Sequence, residues 1–203
     1  MKSLILAFQF LTILPLNIRM NVRERDIAKS VRAFAIVGFF QGLLLVAADY
    51  YCGLIFYPDF KTAMVVLILI LTNGGFHLDG LSDTFDAMAV KSSGDTDRDR
   101  EKRLSVMKGS TAGPIGVIAI VFAILFKYMA LKNLSNATYF VYYSSLILMP
   151  VISKWAMSVS MFHGQAARKD GLGSIFIGKI KFTDFAVITV SIIILITSLL
   201  IVF

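Results

Sequence analysis

Three aspartates, Asp79, Asp83 and Asp86, stand at i, i+4 and i+7 within NGGFHLDGLSDTFDA, residues 73–87. On a helix the second and third project within about 40° of the direction of the first. Carboxylates crowded on one stripe repel one another and call for a compensating cation. Oxygen-only ligands favour a hard ion, magnesium or manganese. Magnesium commonly binds through one or two carboxylates together with substrate phosphates, so Mg2+-assisted transfer at a diphosphate is the chemistry that fits. The plainer reading is an acidic helix start, which the helix dipole also favours. The position directly after an apolar run, beside glycines and a histidine, favours the metal. His77 would point about 160° away from Asp79 on a continuous helix. It joins the acids only if Gly74, Gly75 or Gly80 breaks the helix, and is otherwise a structural hydrogen-bonding group.

Two further segments could hold phosphate. Lys108–Gly116, KGSTAGPIG, leads into an apolar run; exposed amides and the dipole at a helix start attract anions, although glycine–proline turns also simply begin spans. Gly171–Lys179, GLGSIFIGK, is followed by Ile180 and lacks the spacing of a P-loop. It reads as a substrate-gripping loop or an interfacial turn. Ser153 and Lys154 lie inside another apolar stretch. A lysine there must face the bundle interior or a polar cavity, which makes Lys154 a candidate partner of a phosphate or of the metal site. Asp49 reads as an acid snorkelling to the far interface. With magnesium, Lys108, Lys154 or Lys179 would stabilise a leaving phosphate, and one aspartate would be the base for an attacking hydroxyl. No cysteine–histidine pair or Ser-His-Asp set is recognisable, so direct displacement is expected.

The elements that position these residues are membrane helices. Of 203 residues, 57% are hydrophobic and only 16% charged, against about a quarter charged in a soluble domain. Five runs, Phe34–Tyr57, Lys61–Leu78, Gly113–Leu131, Tyr139–Phe162 and Phe185–Phe203, have roughly the length that a ~30 Å hydrocarbon layer requires of a helix. Backbone amides cannot stay unpaired in lipid. The expected fold is therefore all-α: a polytopic bundle of about five transmembrane helices, one integral-membrane domain over residues 1–203. Met1–Leu16 has no cleavage site after it and is expected to be a retained interfacial helix. Most of the 20 lysines and arginines fall in the N-terminal arm and in the loops 79–112 and 163–184, with Lys61, Lys127 and Lys132 opposite. The positive-inside rule places the motifs on the cytoplasmic side of the cell membrane. The net charge of +7 is thus a topology signal rather than a nucleic-acid footprint. One cysteine and two histidines exclude a disulfide framework and disfavour structural zinc. The polar run Lys91–Arg103 reads as a solvated, mobile loop.

The stretch Gly74–Asp86, GGFHLDGLSDTFD, resembles the signature of cobalamin synthase, the adenosylcobinamide-GDP ribazoletransferase family. Phe8–Pro15, Met107–Gly116, Ser153-Lys154 and Gly171–Ile180 are similar to further family segments in the same order. The resemblance implies attack by a ribose hydroxyl of alpha-ribazole, or of its 5′-phosphate, on the cobinamide-side phosphorus of adenosylcobinamide-GDP. GMP leaves, and adenosylcobalamin or its phosphate forms. It maps His77, Asp79, Asp83 and Asp86 onto the family's histidine–aspartate motif. Lys108, Ser110 and Gly113 map onto its second polar segment, and Gly171, Gly173 and Lys179 onto its third.

The chain departs from the family pattern at Gly109, where an acid is common, at Thr111, where a basic residue is frequent, and at Ala87, where glycine is usual. Members tend to run longer, so a C-terminal segment of the family is expected to be missing here. Two alternatives are weaker. A CDP-alcohol phosphotransferase would show Asp-Gly, then Ala-Arg, then a later Asp-x-x-x-Asp, but Leu81-Ser82 follows Asp79-Gly80 and no Ala-Arg comes after. A small transporter would place acids near the bilayer midplane, not at a span end.

Overall fold

A computed structural model describes residues 2–16, 21–109, 111–168, 171 and 173–201. Among them every regular element is helical, as lipid demands. The order is α1 (Lys2–Leu11), α2 (Glu24–Lys29), a 3-10 turn (Ser30–Ala33), α3 (Phe34–Gly53), α4 (Pro58–Thr72), α5 (Phe76–Met88), α6 (Thr96–Val106), α7 (Pro114–Leu134), α8 (Tyr139–His163), α9 (Gly173–Phe176) and α10 (Phe182–Ile201). Four stretches are long and apolar enough to cross a membrane: 24–53, ending in α3, then α7, α8 and the run 182–199 of α10. The fifth expected span is different. It stops at Thr72, and α5 leaves it at 84°.

The α3–α8 pair is the spine. Gly38 and Gly42 stand one helical turn apart on α3. A Cβ on Gly38 would lie 2.8 Å from the Cα of Val151, and one on Gly42 would lie 2.6 Å from the Cα of Ile147. Only bare backbone permits this approach, the mode by which small residues bring membrane helices together. Two cores flank the spine. One joins α1, α3, α8, α9 and α10 through Leu11, Phe34, Val37, Val151, Phe176 and Ile188. The other joins α3, α4, α7 and α8 through Leu45, Val65, Leu69, Leu131, Tyr142 and Leu146. Phe122, Phe126 and Met129 of α7 and Val190, Ile193 and Ile194 of α10 remain exposed and form the lipid-facing surface.

The helix α1 is only 10 residues long, about 15 Å, too short to span. It packs Ala7 and Leu11 into the first core. Asp49 does not snorkel. It is 2% exposed, accepts from Tyr142 at 2.7 Å and pairs with Lys61 at 2.9 Å. A buried carboxylate is tolerated when its oxygens are matched in this way, and this one links α3, α4 and α8.

Candidate functional site

The site is built on the break between α4 and α5. Thr72 ends α4, Asn73 caps it, and Gly74 (φ +63°) takes the left-handed conformation. The amide of Gly74 bonds to the Leu71 carbonyl at 2.9 Å and that of Gly75 to Ile70 at 3.2 Å, the paired closure of a Schellman motif. Gly75 (φ +72°) then opens α5. Both positions sit in a region that L side chains avoid. The segment after α1 braces the turn, because the Ile13 amide donates to the Thr72 carbonyl at 3.1 Å.

The sequence expectation had this helix running on to Leu78. The break lies before His77, not between it and the acids, and Gly80 sits inside a continuous helix. His77 and the aspartates therefore leave α5 on different faces. His77 turns to the bundle, where its Nε2 is 3.4 Å from the Lys154 ammonium. An ammonium can only donate, so Nε2 is the acceptor and the ring's proton sits on Nδ1. Lys154 is 2% exposed and donates to Asn73 Oδ1 at 2.8 Å. These groups, with Ser153, Gln41 and Lys127, line a cavity of about 130 Å³ walled by Leu69, Ile70, Met149 and Pro150. Lys127, expected at the far end of its span, reaches this cavity from within α7.

The acid face is different. Asp79 is exposed and Asp83 half-buried. Asp83, beyond the apolar run of α4, has its proton affinity raised above the ordinary carboxyl range, first by desolvation and then by the charges of Asp79 and Asp86; the Arg168 guanidinium acts in the opposite sense. Asp86 is engaged with α7. Its Oδ2 accepts from the Gly113 amide at 2.7 Å and its Oδ1 from Gly116 at 2.8 Å. It caps a neighbouring helix whose first turn has unpaired amides and a positive dipole end. A Cβ on Gly113 or Gly116 would run into this carboxylate, and one on Gly116 also into Ser82 Oγ. Gly113 thus has a packing role whatever else it does.

No group of three or more His, Cys, Asp or Glu side chains among the described residues is arranged to hold a metal by itself. Of the three carboxylates expected to grip the ion, Asp86 already accepts two backbone amides. Two hard carboxylates that repel each other still fit an ion whose remaining ligands are water and substrate phosphate.

The other expected residues divide. Lys108 is exposed on the turn that leads from α6 toward α7. Ser110 lies outside the described residues. Gly171 (φ +98°) packs beside the Arg168 guanidinium, which brings the third segment toward Asp83. Gly173 starts α9. Lys179 pairs with Glu24 of α2 at 2.9 Å, so its contact is with the N-terminal arm rather than with the acids.

The run expected to be a mobile loop contains α6. Asp95 caps it by accepting from the amides of Asp97 and Arg98. Asp99 accepts from the hydroxyls of Ser92 and Ser93 and from the Ser93 amide, which holds its carboxyl down at about 2. Arg100 donates to the Ala167 carbonyl at 2.8 Å, so α6 holds the loop that carries Arg168. Sequence reasoning missed this arginine, and only the fold places it near Asp83.

A model of the family described as cobalamin-5-phosphate synthase matches residues 3–203. Curated relatives named adenosylcobinamide-GDP ribazoletransferase are similar over most of the chain. The protein of Thermodesulfovibrio yellowstonii is 33% identical over 186 residues, 92% of this chain and 70% of the relative. That of Geotalea daltonii is 36% identical over 172 residues, 85% of this chain and 66% of the relative. That of Clostridium novyi is 35% identical over 182 residues, 89% and 69%. The chain spans 66–70% of the length of these three relatives. No solved structure matches it.

Proposed function

Because the chain belongs to the cobalamin-5-phosphate synthase family, we propose that it is an adenosylcobinamide-GDP ribazoletransferase of the inner cell membrane, with its motifs on the cytoplasmic side. The ribose hydroxyl of alpha-ribazole or its 5′-phosphate attacks the cobinamide-side phosphorus. The bond from that phosphorus to the bridging oxygen breaks, and GMP leaves with the oxygen. The hydroxyl proton passes to a carboxylate on the acid face of α5. Asp83 is the acceptor, because desolvation and then the charges of Asp79 and Asp86 raise its proton affinity.

Asp79 and Asp83 would hold Mg2+ together with the diphosphate, and the ion when bound would neutralise charge on the leaving phosphate. Arg168, on a loop tied to α6 through Ala167, adds a positive charge that acts on Asp83. Lys108, at the turn toward α7, is the second cation for the diphosphate. His77, Ser153 and Lys154 bind substrate from the cavity side. Gly171 and Gly173 give the loop its path, and Ser110 is the hydroxyl that the family pattern places beside Lys108.

The observation that carries this reading is the pair Asp79 and Asp83 on a helix redirected by a two-glycine break, in a chain the family model covers from residue 3 to the last. The assay is direct. Protein in detergent is given adenosylcobinamide-GDP, alpha-ribazole and Mg2+, and GMP release is followed. Release that stops in Asp83→Ala is expected. A folded protein that releases no GMP contradicts the reading.

A further inference from the structure

The cavity between α3, α4, α7 and α8 holds more positive charge than the structure needs. Lys154 and Lys127 both line it. Lys154 has two neutral partners, Asn73 and His77. Among the described residues no carboxylate pairs with either lysine. Two ammonium groups in a mostly apolar cavity within a membrane bundle are costly unless an anion joins them. The rest of the lining suits an anion that also carries a hydroxyl. Ser153 adds a hydroxyl. Gln41 is 5% exposed, with its amide nitrogen on Thr72 Oγ1 at 2.7 Å and its Oε1 buried without a partner. Lysine serves phosphate as a compact point charge.

Resting on the transferase reading, we propose that this cavity is a phosphomonoester subsite for the 5′-phosphate of the acceptor nucleoside, with Lys127 and Lys154 as its cations. The acids and the cavity occupy different faces of α5, so one phosphorylated group cannot use both at close range. The diphosphate, which needs a metal-shared charge, belongs to the acid face. The other phosphoryl group of the reaction is the acceptor's. A phosphomonoester carries close to two negative charges at neutral pH, matching two lysines. Lys127 is thereby a specificity-determining residue on α7, whose Phe122, Phe126 and Met129 are exposed on its outer side.

The test compares kcat/KM for alpha-ribazole 5′-phosphate and alpha-ribazole in wild type, Lys127→Gln and Lys127→Arg, each at saturating adenosylcobinamide-GDP. Wild type is expected to prefer the phosphorylated acceptor at least tenfold. Lys127→Gln loses most of that preference, and Lys127→Arg keeps it. An unchanged preference in Lys127→Gln overturns the proposal. So does a rise confined to the KM of adenosylcobinamide-GDP, read in a separate donor titration at saturating acceptor, which would give the cavity to the diphosphate. Nanodiscs with and without phosphatidylglycerol separate a lipid source: competition by the anionic lipid with no acceptor preference also overturns it. A wild type that releases no GMP with either acceptor refutes the transferase reading. The cavity is then judged by binding without donor: tighter binding of the 5′-phosphate than of alpha-ribazole, lost in Lys127→Gln, upholds it, and equal binding refutes it.

Discussion

The carboxylate of Asp86 receives the backbone amide of Gly113 at 2.7 Å, tying α5 to the start of α7 across 27 residues of chain. With Gly116 as its second donor, this acid has a structural duty that its two companions lack. Asp86→Ala is expected to cost about 2 kcal/mol, the scale of hydrogen bonds to a charged group, and to lower the thermal midpoint in detergent. Asp79→Asn removes a repelling charge and should leave the midpoint level or raise it. Equal losses in both variants would contradict this division.

The α3–α8 crossing depends on missing side chains. Gly42→Ala places a methyl 2.6 Å from the Ile147 Cα, which only a shift of the helices can relieve. A loss of about 1–3 kcal/mol follows from overpacking, read by thermal denaturation in detergent. An unchanged midpoint would show that the helices are not held this close.

Far from the acids, Lys61 neutralises the buried Asp49 at 2.9 Å. Lys61→Met strands that charge, and breaking one side of a buried pair costs about 3 kcal/mol. Asp49→Asn in the same chain should recover part of the loss, while GMP release below the melting range stays near wild type. A milder phenotype in Lys61→Met than in the double variant would refute the pairing.

The pH dependence follows from Asp83. Its proton affinity is raised by burial and by neighbouring acids, and Arg168 opposes the rise. The ionised form is the one that binds a cation, so activity falls as pH drops through a value above the ordinary carboxyl range. Arg168→Gln removes the opposing charge and should move this acidic limb to still higher pH. A limb that stays in place would separate Arg168 from Asp83.

Much of the architecture was legible in the sequence, for physical reasons that also explain the gaps. Long apolar runs located α3, α7, α8 and α10 to within a few residues, because lipid leaves the backbone no alternative to helix. The same logic overran α4: hydropathy continues to Leu78, whereas the turn is set by Gly74 and Gly75, whose left-handed angles leave no mark on an apolar count. The spacing Gly38-x-x-x-Gly42 was a readable sign of a close helix crossing and went unused. The helix α6 was hidden by its polarity, although Asp95 ahead of Asp97 and Arg98 is an N-cap pattern. Lys127 looked like a flank because an isolated lysine in an apolar run usually snorkels. Arg168 and the pairing of Asp49 with Lys61 are tertiary facts that local spacing does not encode.

Binding of Mn2+ in place of Mg2+, followed by electron paramagnetic resonance with adenosylcobinamide-GDP present, addresses the ion grip itself. Wild-type protein should take up one tightly held ion, Asp79→Asn and Asp83→Asn should each weaken it at least tenfold, and Lys179→Gln should leave it unaltered. Undiminished Mn2+ binding in a folded Asp79→Asn, Asp83→Asn double variant would contradict the account.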